Sequence, residues 1–415
     1  MASALKNIIV VGGSYVGKGT AQELARLVPE THRVLLIEPH SHFHHLFTFV
    51  SSPVTRHDVL SAYHLTIQPR FAIVPGQEHK AFIPYSGIFA SIPNSLRHAV
   101  VQARVLSVSP QHVKLDRDWH GSSQIPFEYL VVATGTRLAE PAGMRHDDKL
   151  SSVAYLQRHQ NDVKRAKSIL IGGGGAVGVQ MATDLKEYYP DKDITVVQSR
   201  PQLMPGFHSN LHDLIKARFE ELGIKLITGA RVVVPRGGVP ANGGSFDVQL
   251  TNGSQVTTDF VILATGQTPN NSLLNDLASS SAESLINTDN GFIRIKPTMQ
   301  FQDPQYPNLF AVGDIADTGL RKAARPGSAQ AGVVARNIQA MIEGRKPEET
   351  YPRMPAAIHL TLGMKYNVVF RNPNEAEGQT EPTIIPRVDG QEDMNVEGMW
   401  ERFGVKIDSA NQYHL

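Results

Sequence analysis

The sequence lacks cysteine altogether: none of its 415 residues carries a thiol. A chain without thiols forms no disulfide bond, offers no thiolate ligand to a metal ion and contains no redox-active dithiol. The classes of protein that depend on cysteine chemistry are therefore excluded. Any electron transfer by this chain must run directly between a bound cofactor and a substrate.

Long hydrophobic runs and an excess of charge of one sign are also absent. The chain has 40 basic and 39 acidic residues, and its net charge of +1 indicates neither a nucleic-acid partner nor an anionic membrane surface. No apolar run reaches the about 18 residues that a membrane-spanning helix needs. Because MASALKN leads at once into a predicted strand, we expect no signal peptide and a cytoplasmic protein, with peripheral membrane contact left open.

Two glycine-rich segments are the most informative features that are present. They are IIVVGGSYVGKG at residues 8–19 and ILIGGGGAVGVQ at residues 169–180. Each is an apolar run typical of a buried strand, followed by clustered glycines and a helix-forming stretch. Glycines let backbone N–H groups approach a pyrophosphate, and the following helix points its positive end at it. Two such motifs predict a protein that holds two nucleotides, one of which can reduce the other.

The glycines fill the G-x-G-x-x-G frame almost completely. Ser14 takes the place of the middle glycine in the first motif, while the second motif has all three glycines. Glu38 ends the next predicted strand, about 20 residues further on, where an acid commonly accepts hydrogen bonds from an adenosine ribose. The alternative for Glu38 is a solvated residue at a strand end. The residues of these motifs predicted to contact nucleotides are Gly12, Gly13, Ser14, Tyr15, Val16, Gly17, Glu38, Gly173, Gly175 and Gly178.

Further motifs follow in order: LVVATGT at 130–136, VILATGQTP at 261–269 and FAVGD at 310–314. With the two glycine-rich motifs, this order resembles the two-dinucleotide-binding-domain flavoproteins, which are pyridine-nucleotide oxidoreductases with a glutathione-reductase-like fold. His-Phe-His-His at 42–45 and IHLTLGMKYNVVF at 358–370 are similar to the apoptosis-inducing-factor-like branch. That branch includes the mitochondrion-associated inducer of death, also called ferroptosis suppressor protein, and type II NADH dehydrogenases are more distant relatives.

The resemblance implies an α/β fold with two Rossmann-like dinucleotide-binding domains and a small C-terminal α+β region. It implies a discontinuous FAD-binding domain over 1–150 and 265–350, and an NAD(P)H-binding domain over 151–264. A C-terminal substrate or interface region would cover 351–415. Within it, residues 371–398 are rich in Pro, Asn, Glu and Gly, and we expect them to form an exposed excursion.

The resemblance also assigns the first motif to the pyrophosphate of a non-covalent FAD and Glu38 to its adenosine ribose. Asp314 would accept from the ribityl chain, and the N-terminus of the helix that follows would face the flavin. The alternative for Asp314 is an N-cap of that helix, and both roles can hold together. The resemblance also assigns the backbone of Val105 to the adenine of FAD, and its other predicted FAD-binding residues are Ala133, Thr134, Gly135 and Gly313.

The second motif would hold NADPH or NADH. The strand ITVVQS is followed by Arg200 and carries Gln198 and Ser199 at its end, with no carboxylate that would repel the 2′-phosphate of NADPH. We therefore expect NADPH to be used, the alternative being that Arg200 only faces water. Gly266, within VILATGQTP, is a further expected cofactor-binding residue.

Two positions near the expected nicotinamide and flavin are candidate catalytic residues. The family usually has glutamate where this chain has Gln180, and a glutamine forms hydrogen bonds but relays no proton. Two interpretations stay open: a working reductase, or a degraded nicotinamide site in which an organic substrate reduces the flavin. Lys322 matches the family's lysine at the start of the helix beside the flavin.

A cluster of histidines follows the second predicted strand. His40, His42, His44 and His45 have no carboxylate or cysteine spaced to complete a metal site, so we expect no metal. A loop over the flavin or a plain surface is the simpler interpretation. The remaining hypothesis is that His44 or His45 donates a proton to a bound substrate.

The sequence thus predicts an FAD-dependent oxidoreductase that takes hydride from NAD(P)H and passes electrons to a quinone or similar small conjugated acceptor. One alternative is a tailoring flavoenzyme of secondary metabolism that oxidises or reduces a specialised small metabolite at the flavin. Another is a flavin-bound regulatory protein with little turnover. We expect a small-molecule substrate, no nucleic-acid partner, and a monomer or homodimer.

Overall fold

The computed structural model contains two sheets of parallel strands and a smaller C-terminal sheet, which confirms the predicted α/β class. The described residues are 5–45, 47–50, 63–236, 238–240, 243–280, 283–319, 324–352 and 354–415. Their α-helices are α1 (Tyr15–Leu27), α2 (Ile67–Phe71), α3 (Lys149–Arg165), α4 (Ala176–Tyr188), α5 (Ser209–Leu222), α6 (Ala324–Ile342) and α7 (Glu397–Arg402).

The first sheet has five parallel strands, in the order Leu309–Ala311, Tyr129–Val132, Lys6–Val11, His32–Glu38 and Ala99–Gln102. Its central strands are short apolar runs with almost no exposed side chains, as expected for a parallel sheet covered on both faces. One edge strand, Leu309–Ala311, follows the strands of the second sheet in the chain, so the first sheet is built from two separate segments of the sequence. Helices α1 and α6 pack against each other beside it.

The second sheet has four parallel strands, in the order Lys225–Thr228, Asp193–Gln198, Ser168–Gly172 and Phe260–Leu263. Helices α4 and α5 pack on its strands. An antiparallel pair precedes the last strand and turns at Gly253, whose φ of +85° lies in the region that favours glycine. The strands of that pair are Phe246–Gln249 and Gln255–Thr258.

Each parallel sheet is the centre of one domain, called the first and the second domain below. The two domains are joined by a pair of segments, each of which follows an ATG sequence. Thr136–Leu138 and Gln267–Pro269 form an antiparallel pair. The hydroxyl of Thr134 donates to the carbonyl of Asn270 at 2.7 Å, and the amide of Asn270 donates back to the carbonyl of Thr134 at 2.9 Å. The ends of both parallel sheets therefore meet at one crossing.

The C-terminal region packs on both domains. Its antiparallel sheet consists of Ala357–Thr361, Asn367–Arg371 and Thr383–Arg387, and joins the core of the second domain. Residues 371–398, predicted to form an exposed excursion, are mostly exposed or half-buried, and the middle of this segment pairs as the third strand. The indole of Trp400, in α7, is fully buried in the core of the first domain.

The remaining strands form small sheets of two or three strands. They are His42–His44 with Phe82–Pro84, Phe47–Val50 with Tyr63–Thr66, Val105–Val108 with His112–Trp119 and Ser122–Pro126, and Ile293–Arg294 with Ala316–Asp317. In the described part of the chain, no helix has both the length and the apolar character needed to cross a membrane.

Candidate functional site

One cleft of about 2560 Å³ runs between the two domains and along the C-terminal sheet. Typical small-molecule pockets hold about 300–1,000 Å³, so this cleft has room for more than one ligand. Both glycine-rich turns and both ATG segments open into it. The predicted site residues that line it are Gly12, Ser14, Tyr15, Val16, Glu38, His44, Val105, Ala133, Thr134, Gly135, Gly173, Gly175, Gln180, Gln198, Ser199, Arg200, Gly266, Gly313 and Asp314.

The glycines of the first turn are required by close backbone packing. A Cβ on Gly12 would meet the carbonyl of Ala133, and a Cβ on Gly17 would strike the carbonyl of Gly12. Gly17 therefore lies behind the turn and holds α1 against the strand, as the last glycine of such motifs does. Gly13 also does not line the cleft, because its backbone packs against Glu38 and Tyr85.

Glu38 braces the first turn with a nearly buried carboxylate. Its Oε2 accepts from the N–H of Gly13 at 2.5 Å, and its Oε1 accepts from the N–H of His40 at 3.0 Å. The ring of His40 also donates to Oε1. The carboxylate predicted to hold a ribose thus lies at the cleft within a ring of hydrogen-bond donors.

Another part of the cleft lining follows the edge strand Leu309–Ala311 of the first sheet. Gly313, with φ of +72°, begins a short 3₁₀ turn that contains Asp314. The N–H of Gly313 donates to Oε1 of Gln330 at 2.7 Å, which ties the turn to α6. Lys322, the predicted catalytic lysine, lies outside the described residues.

The second turn repeats the first with neutral groups. A Cβ on Gly178 would strike the carbonyl of Gly173, so Gly178 also packs behind its turn and does not line the cleft. Oε1 of Gln198 accepts from the N–H of Gly174 at 3.1 Å, and its amide donates to the carbonyl of Gln202 at 2.9 Å. Ser199 and Arg200 follow at the cleft with exposed side chains.

Gln180 sits one helical turn before a buried ion pair. Asp184 and Arg70 are both fully buried and form a bidentate contact at 2.9 and 2.7 Å. The amide of Gln180 donates to Oδ2 of Asp184 at 3.3 Å. Because Arg70 is already matched by Asp184, a glutamate at position 180 would add a buried carboxylate without its own counter-charge. This gives a physical reason for glutamine here.

The two histidines that were candidate proton donors lie in different places. His44 lines the cleft and its ring lies 4.1 Å from that of His40, whereas His45 is fully buried with Nδ1 2.6 Å from the hydroxyl of Tyr15. Burial lowers the pKa of His44 well below its usual range and lowers the pKa of His45 to about 3. Both rings are therefore neutral near pH 7, and His45 has no direct access to the cleft.

The residues that the structure describes contain no group of three or more His, Asp or Glu side chains placed to hold a metal ion. The cleft also has lining residues that sequence reasoning missed. Tyr85 donates to the carbonyl of Gly13 at 3.0 Å, and His359, Thr361 and Arg371 enter from the C-terminal sheet. The signal for His359 and Thr361 was the apolar–polar alternation of IHLTL, which is typical of a strand with one polar face.

Comparison with known proteins agrees with this geometry. The family described as pyridine nucleotide-disulphide oxidoreductase matches residues 6–335. Fe-regulated protein 8 of Mycosarcoma maydis is 32% identical over 428 residues, covering 98% of this chain and 97% of that protein. Ferroptosis suppressor protein 1 of Homo sapiens is 26% identical over 376 residues and covers 88% of both, so the resemblance inferred from the sequence is confirmed.

A solved structure shows the same fold. The sulfide:quinone oxidoreductase of Aquifex aeolicus superposes with a TM-score of 0.68 at 17% sequence identity, covering 98% of this chain and 94% of that chain. At this level of identity the likeness concerns the arrangement of the domains. It agrees with the predicted pair of dinucleotide-binding folds.

Proposed function

The chain belongs to the pyridine nucleotide-disulphide oxidoreductase family and is an FAD-dependent NAD(P)H oxidoreductase, and from this premise we propose that it passes the electrons of NADPH to a quinone or similar small conjugated acceptor. The observation that carries the proposal is the single cleft into which both glycine-rich turns open. Two nucleotides held at these turns would extend toward one crossing. Since the chain has no cysteine, electrons would leave the flavin directly for the acceptor.

The residues of the first turn fit FAD. Gly12 and Gly17 have no space for a side chain, which keeps the backbone N–H groups at the start of α1 open to a pyrophosphate. Glu38 would accept from the ribose hydroxyls, and Asp314 from the ribityl chain. When bound, FAD supplies hydride acceptance from a nicotinamide and two-electron delivery to a substrate.

The residues of the second turn support NADPH as the reductant. Gln198 braces the turn without charge, and Arg200 carries an exposed guanidinium at the cleft. A 2′-phosphate would meet no carboxylate in this group of side chains. NADH would lose the contact to Arg200 but would not be repelled.

Gln180 would hold the nicotinamide end by hydrogen bonding alone. Its amide nitrogen is directed to Asp184, which fixes the orientation of the side chain within the cleft wall. Hydride transfer needs close approach and alignment but no protein acid or base. We therefore propose that the nicotinamide site works with glutamine.

The test is anaerobic mixing of the purified flavoprotein with NADPH or NADH, followed by the visible absorbance of oxidised flavin. Rapid bleaching by NADPH, faster than by NADH, is the expected result, and oxidation of the reduced enzyme by a quinone completes it. The polar side chains His359, Thr361 and Arg371 in the C-terminal part of the cleft favour a second candidate, a tailoring enzyme acting on a specialised metabolite. Bleaching by an organic substrate alone would establish that candidate, and nucleotide binding without turnover would favour a regulatory protein.

A further inference from the structure

The C-terminal sheet brings polar side chains of its first strand to the cleft. Along the strand Ala357–Thr361, Ile358 and Leu360 pack into the core of the second domain. Successive side chains of a strand point to opposite faces, so His359 and Thr361 lie together on the other face. All five residues of the strand line the cleft, and His359 and Thr361 are the two polar ones. No other part of the proposed function uses this pair.

The ring of His359 is held in one tautomer. Its Nε2 lies 2.5 Å from Oδ1 of Asn367, whose amide nitrogen donates to Asp389 at 3.0 Å and to the carbonyl of Lys365 at 3.1 Å. Because that nitrogen is the donor, the oxygen of Asn367 accepts, and the shared proton belongs to Nε2 of the ring. The lone pair of the neutral ring is therefore on Nδ1. Burial lowers the pKa of His359, so the neutral ring is the resting form near pH 7.

Thr361 gives an independent sign that a ligand binds at this face. The residue is 2% exposed, and its hydroxyl oxygen is buried and makes no hydrogen bond to any other residue that the structure describes. Buried hydroxyl groups are normally paired. An unpaired one in the wall of a cleft is a place for a polar atom of a bound molecule.

We propose that His359 exchanges a proton with the electron acceptor at this face of the cleft, while Thr361 binds an oxygen of the acceptor. Asn367 and Asp389 are positioning residues that hold the ring of His359. The inference rests on the proposed function and adds to it the residue that supplies a proton. The acceptor is then a small molecule with a carbonyl or hydroxyl oxygen that gains or loses a proton.

The proton balance of quinone reduction requires such a group. A quinone becomes a hydroquinone by taking up two electrons and two protons. A transferred hydride brings both electrons and one proton, so the second proton must reach a quinone oxygen from another donor. The neutral ring accepts this proton from water at Nδ1 and passes it to the quinone oxygen, which returns His359 to its neutral resting form. With a hydroxyl-bearing substrate that is oxidised, the same Nδ1 accepts the proton.

The test separates acceptors that need a proton from those that do not. Enzyme reduced anaerobically with NADPH is mixed with menadione, a quinone, or with ferricyanide, which takes one electron and no proton. His359→Ala is expected to slow reoxidation by menadione about 100-fold and to leave reoxidation by ferricyanide within about twofold. His112→Ala is the matched control, because His112 begins a strand of the first domain and does not line the cleft.

Further variants guard against a purely structural effect. Imidazole added to His359→Ala is expected to restore part of the rate with menadione, and His359→Gln repeats the experiment with a side chain of similar size. Asn367→Leu is expected to cause a smaller loss, about 10-fold. Equal slowing with both acceptors, or no slowing with menadione, would overturn the proposal. Failure of NADPH to reduce the wild type would contradict the proposed function instead, and dithionite then serves as the reductant for the same comparison.

Discussion

The two glycine-rich turns are built alike but charged differently. In each, a side chain at the end of the next strand accepts from a glycine N–H: Glu38 from Gly13 at 2.5 Å, and Gln198 from Gly174 at 3.1 Å. In each, the last glycine of the motif packs against the carbonyl of the first. The brace is thus common to both turns, and only one of the two bracing groups is an acid.

The two turns also differ in charge at the residue that lies two positions after each bracing side chain. His40 donates to Glu38 with its backbone and its ring, whereas Arg200 pairs with no carboxylate in the described part of the chain. The first turn therefore offers a negative acceptor that suits a ribose diol. The second offers a neutral amide and a cation that accommodate a phosphate. Under the proposed function, the shape of each turn would admit a dinucleotide and its charge would select which one.

Breaking either turn with a methyl group is expected to have the largest effect. Gly17→Ala would clash with the backbone of Gly12, destabilise the first domain by about 3 kcal/mol and release FAD. Gly178→Ala would keep FAD and abolish reduction by NADPH. Flavin content and anaerobic bleaching measure the two outcomes. Gly19→Ala is the control, because a Cβ there meets no atom within 4 Å. Normal flavin content in Gly17→Ala would contradict the FAD assignment.

The next largest effect is expected from a substitution that makes the second turn resemble the first. Gln198→Glu keeps a group that can accept from Gly174 and adds the carboxylate that Glu38 supplies in the first turn. That carboxylate would repel a 2′-phosphate and accept from a ribose diol, so we expect NADPH efficiency to fall about 100-fold relative to NADH. Steady-state kcat/KM with both nucleotides measures the ratio. Gln202→Glu is the matched control, and an unchanged ratio in Gln198→Glu would place the adenosine ribose elsewhere.

Much of this comparison could be predicted from the sequence, because the turn motifs are local. The glycine spacing, the strand and the following helix of each turn lie within one short segment. The ATG and FAVGD motifs can likewise be recognised within a few consecutive residues. The ion pair of Arg70 and Asp184 could not be predicted. It joins residues far apart in the chain and explains Gln180 only once the helices are packed.

The C-terminal part of the site was missed for a different reason. The HFHH segment drew attention because its histidines are clustered, yet His45 is buried behind Tyr15 while its neighbour His44 faces the cleft. His359 is a single histidine in an apolar run, and only the period-two pattern of its strand marks the polar face. The clustered histidines thus reached the cleft at His40 and His44 only, and the single His359 reached it without any clustering in the sequence.

We expect acid to destabilise the first turn more than the second. The buried His45 contacts Tyr15, which belongs to the first turn. Burial lowers the pKa of His45 to about 3, below the value of about 6.5 expected in the unfolded chain. The unfolded chain then binds a proton that the folded chain does not. The contribution of neutral His45 to the free energy of unfolding is therefore complete above pH 6.5. It falls as the pH is lowered toward 3, by up to about 1.4 kcal/mol per pH unit.

Denaturant unfolding between pH 7 and pH 4, followed by flavin release, measures this dependence. His45→Gln should flatten the slope by up to one proton, whereas His112→Gln, at a half-buried position of a strand, should leave it unchanged. An equal slope in His45→Gln and the wild type would show that His45 does not couple the first turn to pH.

The smallest expected effect concerns the exposed cation of the second turn. Arg200→Ser removes the guanidinium that would meet a 2′-phosphate, but the side chain is solvent-exposed and its contact is screened by salt. We therefore expect a loss of about 1 kcal/mol in NADPH binding, or about fivefold in KM, with NADH unaffected. The loss should shrink as ionic strength rises, which a buried contact would not show. An equal loss with both nucleotides would mean that Arg200 supports the turn itself, and the two turns would then differ only in Glu38 and Gln198.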